Sequence, residues 1–135
     1  MEFIIVSGPV IIENDKVLVN KHGDTNFWKF PGGRVEDFRE LDLEKHAKRE
    51  AKEELGIDVE IIRPLKTLMT TKDDKVVILV HYLAKRLGEI KPGQDIREWK
   101  WLDIHNLPED VGPVSYTHLR AHETSLHLVC RLLLE

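Results

Sequence analysis

Arg49-Glu50-Ala51-Lys52-Glu53-Glu54-Leu55-Gly56, with the run Asp42-Leu43-Glu44-Lys45-His46-Ala47-Lys48 leading into it, is the most strongly patterned part of the chain. Leu43, Ala47, Ala51 and Leu55 recur every four residues, the apolar stripe of an α-helix. Asp42 can cap the helix with a side-chain oxygen, and Gly56 supplies its stop. On that helix Glu50, Glu53 and Glu54 stand at i, i+3 and i+4 and share one face. Three neighbouring carboxylates repel one another. Lys48, Arg49 and Lys52 relieve the repulsion in part, and a hard divalent cation relieves it better, because carboxylate oxygens are its preferred ligands. A solvated charged face would show the same spacing, so the triplet alone leaves both readings open.

The flanking sequence reads as strands. Phe3–Val6 and Val10–Ile12 are two β-branched runs parted by Ser7-Gly8-Pro9. Asn14-Asp15 signals a hairpin turn into Lys16–Asn20. After the polar loop His22–Asn26, Trp28-Lys29-Phe30 reads as an aromatic strand end that breaks at the turn Pro31-Gly32-Gly33. Beyond the helix come Val59–Ile62, Leu65–Met69, a turn at Lys72-Asp73-Asp74, the long apolar run Val76–Ala84 read as a central strand, and Glu98–Leu102. Strands, one helix and more strands predict an α+β domain with a mixed sheet. Trp28, Trp99 and Trp101 are read as packing residues. His22, His46, His81 and His105 lack metal-ligand spacing and receive no role.

The chain has 135 residues, 41% hydrophobic and 33% charged, which suits one globular domain and argues against wholesale disorder. No apolar run approaches a membrane span, and no basic flank precedes a long apolar stretch, so neither membrane nor signal peptide is expected. One cysteine cannot form an internal disulfide, which points to a reducing, cytoplasmic compartment. A net charge of −4 disfavours a nucleic-acid polymer as partner. It leaves room for a small anionic substrate, since a bound metal can reverse the local field.

Gly32-Gly33-Arg34-Val35-Glu36, a loop and the Arg49–Ile57 segment together resemble the Nudix box. That family's pattern is a glycine, five residues, a glutamate, seven residues, then Arg-Glu-aliphatic-x-Glu-Glu-x-Gly-aliphatic. Arg49, Glu50, Ala51, Glu53, Glu54, Gly56 and Ile57 complete its second half, and Trp28–Gly33 resembles the lead-in of MutT-like members. Gly33 and Arg49 stand 16 positions apart, two more than in the pattern. Glu40 best fills the loop glutamate slot, with Phe38-Arg39 where a glycine is usual.

The resemblance implies a Nudix-like α/β/α sandwich and a hydrolase that cleaves a pyrophosphate bond in a nucleoside diphosphate-linked substrate. It implies Mg²⁺ (or Mn²⁺) held by Glu50, Glu53, Glu54 and the Gly32 carbonyl. Glu53 or Glu50 would orient or deprotonate water, and Arg49 would pair with an acid such as Glu40. Glu98, or alternatively Asp95, is the candidate for a further acid outside the box. Lys21 and Arg34 are candidate phosphate contacts, and Phe27 is a candidate for stacking on a base. A nucleoside triphosphate is the first expected substrate, with ADP-ribose or another sugar nucleotide second. A non-catalytic nucleotide sensor is the alternative of another class, and a homodimer is left open.

Val114–Thr124 resembles a translated sequencing-library adapter, and the adapter frame resumes over Leu128–Glu135 after a short index. The expected division is therefore a natural Nudix domain over 1–113, cut short at its C-terminus, and an adapter-derived tail over 114–135. A natural amphipathic helix using Leu119, Leu126, Val129 and Leu133 is the alternative.

Overall fold

The computed structural model describes residues 2–22, 28–36, 39 and 41–105. The elements are β1 (Glu2–Glu13), β2 (Lys16–His22), β3 (Gly33–Arg34), α1 (Leu43–Leu55), β4 (Val59–Pro64), β5 (Leu68–Lys72), β6 (Lys75–Arg86) and β7 (Ile96–Asp103). The sheet runs β4-β6-β1-β2-β7, with β3 added to β1 and β5 added to β6. β1 and β6 are parallel and the other pairs antiparallel, so the sheet is mixed, as expected. The described residues contribute one helical layer. A second layer of the expected sandwich would lie outside them.

The two runs read as separate strands are one strand. β6 pairs with β1 in unbroken parallel register from Glu2↔Lys75 to Ile11↔Ala84, straight through Gly8 and Pro9. The other edge of β1 pairs with β3 at Val6 and Ser7 and with β2 at Ile12 and Glu13, and the named strands leave Gly8–Ile11 unpaired there. Pro9 therefore sits where a missing N–H breaks no ladder on that edge. Gly8 has its own reason. A Cβ at Gly8 would lie 2.1 Å from the Pro31 carbonyl oxygen and 2.6 Å from the Gly32 Cα, so the bare backbone lets the Pro-Gly-Gly bend cross β1. Gly8→Ala is expected to cost about 1–3 kcal/mol in denaturant unfolding and to displace the bend.

The hairpin turns form as read. Asn14 and Asp15 have φ of 51° and 63°, and Asp73 and Asp74 the same values, the left-handed pair of a primed two-residue turn. β5 begins three residues later than the reading from Leu65. Leu65 itself is buried, its N–H bonded to the His81 carbonyl at 2.9 Å.

α1 forms between the predicted caps. The Asp42 side chain accepts from the N–H groups of Glu44 (3.0 Å) and Lys45 (3.4 Å). Gly56 takes a left-handed φ of 65° and donates to the Lys52 carbonyl. The N–H groups of Lys91 and Gly93 bond the Leu55 and Glu54 carbonyls at 2.7 and 2.8 Å, satisfying further helix-end acceptors. Ala51 and Leu55 pack with Ile11, Leu18, Ile57, Val59 and Ala84. Burying a large aliphatic side chain in this way contributes about 1.5–3 kcal/mol and fixes which face of α1 is left for the acids. On the opposite side of the sheet Val10, Val17, Val19, Trp28, Phe30, Leu65, Leu83, Leu102 and Ile104 form a second core.

Candidate active site

The acidic face of α1 meets the Pro31-Gly32-Gly33 bend. The Gly32 N–H donates to Glu54 Oε2 at 2.7 Å in a buried bond. Glu54 is 6% exposed. Gly32 has φ 137°, and a Cβ there would stand 2.6 Å from the Ser7 carbonyl oxygen. A Cβ at Gly33 would stand 3.1 Å from both oxygens of the Glu50 carboxylate. Two glycines thus bring backbone against two carboxylates: the positive φ and the backbone contact require glycine at Gly32, whereas at Gly33 a Cβ would press only on the end of the Glu50 side chain. Glu53 projects outward, 61% exposed, with the Arg49 Nε 3.8 Å from its Oε1. Arg49 pairs along its own helix, while Glu40, the partner expected from sequence, lies outside the described residues.

Charge is crowded here. Burial, then the charges of Glu54 and Glu53, push the Glu50 carboxyl up to about 7, against the pull of Arg49 and Lys29. Burial pushes the Lys29 ammonium below its ordinary range, and Glu54 and Glu50 pull it back up. His46 Nε2 lies 3.5 Å from Glu50 Oε1. Burial first, then the Arg49 charge, hold its imidazole below its usual range despite the Arg34 backbone and the Glu53 charge. His46 thus faces Glu50 as a neutral ring at neutral pH.

Lys29 and His46 were both missed by the sequence reading. The signal for His46 was its i,i+4 spacing to Glu50. For Lys29 it was alternation with Trp28 and Phe30, which sends Lys29 to the other face of the sheet.

The remaining candidates fall elsewhere. Lys21 Nζ is 4.0 Å from Glu98 Oε2 and 4.3 Å from the centre of the Trp28 ring, with Lys100 Nζ at the same distance from that ring. The register Val17↔Leu102, Val19↔Lys100, Lys21↔Glu98 places Glu98 and Lys21 on the Trp28 side of the sheet, across from α1. Strand alternation is the reason, and the geometry does not bring either residue to the carboxylates. Arg34 is exposed on β3. Phe27 lies outside the described residues. Trp28 is buried as expected, and Trp101 packs against the α1 core, but Trp99 is 37% exposed at the sheet edge, contrary to its reading as packing. An open hollow of about 860 Å³ lies at the Asp42 end of α1, bordered by Leu41, Asp42, Glu44, Pro64 and Tyr82, one end of the helix away from Glu53 and Glu54.

Among the described residues no three acidic or imidazole side chains already converge on one point. The donor set nonetheless fits a hard cation. Glu50 and Glu54 present oxygen ligands at the glycine bend, burial and then the charges of Glu54 and Glu53 raise the proton affinity of Glu50, and Glu53 stands beside Glu54 on the helix with its side chain exposed.

A family model described as the NUDIX domain matches residues 5–121. The chain belongs to the NUDIX domain family, and it is a hydrolase of pyrophosphate bonds. No curated protein matches it in sequence. Among solved structures it is similar to a MutT NUDIX hydrolase from Burkholderia pseudomallei, at 22% identity and TM-score 0.74, covering 85% of this chain and 94% of that one. It is similar to an ADP-ribose pyrophosphatase from Streptococcus suis, at 22% identity and TM-score 0.68, covering 96% and 89%. It is also similar to a UDP-X diphosphatase, at 18% identity and TM-score 0.78, covering 98% of this chain and 63% of that protein. At these identities the likeness is one of fold. Hydrolases of this family generally use a divalent metal and act on small nucleotide substrates. No helix among the described residues is long and apolar enough to cross a membrane.

Proposed function

We propose that this chain hydrolyses a nucleoside triphosphate in a MutT-like reaction that depends on Mg²⁺ or Mn²⁺. The observation that carries the metal-dependent reading is the buried 2.7 Å bond from the Gly32 N–H to Glu54, which locks the acidic helix onto the glycine bend. Glu50, Glu53 and Glu54, with the Gly32 carbonyl, would hold the cation. When bound, it supplies charge neutralisation at the phosphoanhydride and a more acidic water. The chain's own residues do the rest. Glu54 orients the bend, Glu53 or Glu50 takes the proton of the attacking water, and Arg49 steers Glu53 along the helix. The triphosphate is favoured by the Trp28–Gly33 lead-in.

The likeness to an ADP-ribose pyrophosphatase keeps a sugar nucleotide as the second reading. A panel of nucleoside triphosphates, ADP-ribose and UDP-sugars with saturating Mg²⁺ tests both. Pyrophosphate release from a triphosphate supports the first, and turnover confined to sugar nucleotides replaces it with the second. Binding without turnover of any diphosphate would favour the sensor reading.

We also propose that residues 114–135 derive from an adapter. Codons at Val114–Thr124 unlike the adapter would overturn that.

A further inference from the structure

Lys29 is turned toward the acidic side of the sheet by its register. Its backbone exchanges both hydrogen bonds with Asn20, at 2.9 and 3.0 Å, so the two side chains leave on the same face. Two residues back along β2, Leu18 is on that face and packs with Ala51 and Leu55 of α1. Trp28 and Phe30 leave on the other face and join the opposite core. Lys29 therefore points to the side where α1 presents Glu50 and Glu54, three residues ahead of the glycine whose N–H holds Glu54. Both carboxylates act on its ammonium.

We propose that Lys29 is the resident counter-ion of the Glu50–Glu54 pair, and that a divalent cation entering this site must displace its ammonium. The proposal rests on the metal-dependent reading above. An ammonium and a divalent ion neutralise the same two carboxylates, so they compete. The tethered ammonium offsets part of the pair's charge in the metal-free protein and lowers the metal affinity that the acids alone would give.

The test is a Mn²⁺ titration of the full chain, followed by loss of the free-ion EPR signal, for wild type, Lys29→Met and Lys29→Arg at pH 7.5. Removing the unit charge that acts on both carboxylates is expected to tighten Mn²⁺ binding by at least about tenfold in Lys29→Met. Lys29→Arg, which keeps the charge, stays within about threefold of wild type on the same grounds. Damage to the fold would weaken binding, so tightening is not a by-product of damage. Equal or weaker affinity in Lys29→Met overturns the proposal and leaves the metal reading standing if wild type binds. Absence of Mn²⁺ binding in wild type overturns both. Should Lys29→Met fail to fold, the resonance of ¹³C-methylated Lys29, assigned by its loss in Lys29→Arg, is followed during Mg²⁺ titration of the wild type. A shift that saturates with Mg²⁺ supports displacement, and an unmoved resonance overturns it.

Discussion

Glu53→Gln is expected to lower turnover of the best substrate at saturating Mg²⁺ by at least about a hundredfold, with the thermal midpoint within about 2 °C of wild type. The contrast between the two numbers follows from where Glu53 sits. Its side chain is 61% exposed and touches only Arg49 among the ion pairs described for it, at 3.8 Å. Such an exposed pair contributes little stability. The amide keeps the shape and removes the charge that a cation or a water proton needs. Glu54→Gln would confound the two effects, because Glu54 is buried and accepts the Gly32 N–H. Steady-state kinetics and differential scanning fluorimetry on the same preparations decide the matter. A fully active Glu53→Gln enzyme would falsify the assignment of this helix face to the metal.

The second large effect is a loss of stability with rising pH in the metal-free protein, reversed by a divalent cation. The Glu50 carboxyl is pushed from its ordinary value of 4.5 up to about 7 in the folded chain, first by burial and then by Glu54 and Glu53. Between those two values the unfolded chain has released the proton that the folded chain still holds. Stability therefore falls as pH rises from about 4.5 to about 7 and levels off above that, by on the order of 3 kcal/mol for the full shift.

His46 acts in the opposite sense. Its folded imidazole is harder to protonate, so the unfolded chain binds more protons below the ordinary histidine range, and stability rises with pH there. The informative quantity is the difference between wild type and Glu50→Gln in urea unfolding at pH 5, 6, 7 and 8. The wild-type curve should fall relative to the variant over that range. Added Mg²⁺ should stabilise wild type more at pH 8 than at pH 5, since the ion binds the carboxylate and not the acid, by about 3 kcal/mol at a hundredfold excess over Kd. A metal increment that does not change with pH would show that Glu50 is not a ligand.

Parts of this site were legible because their causes are local. Asp42 and Gly56 mark the ends of α1 through bonds to residues two to four positions away. Asn14-Asp15 sets its turn by its own dihedral angles. The Nudix resemblance of Arg49–Ile57 was carried by residues one turn apart on a helix. The continuity of β1 was not legible, because it depends on β6, whose pairing residues begin at Lys75. A glycine and a proline in mid-run are ordinary breakers until a partner strand spans them.

The chain by itself determined that three glutamates would share one side of a capped helix behind a glycine bend, since helical geometry and backbone preference act over a few residues. Only the tertiary structure decided what those glutamates face. It buried Glu54 on the Gly32 N–H, set Lys29 and His46 around Glu50, and sent Glu98 and Lys21 through to the far side of the sheet. Burial and the charge of an opposing residue belong to whichever distant segment packs there, and no periodicity within the helix encodes that segment.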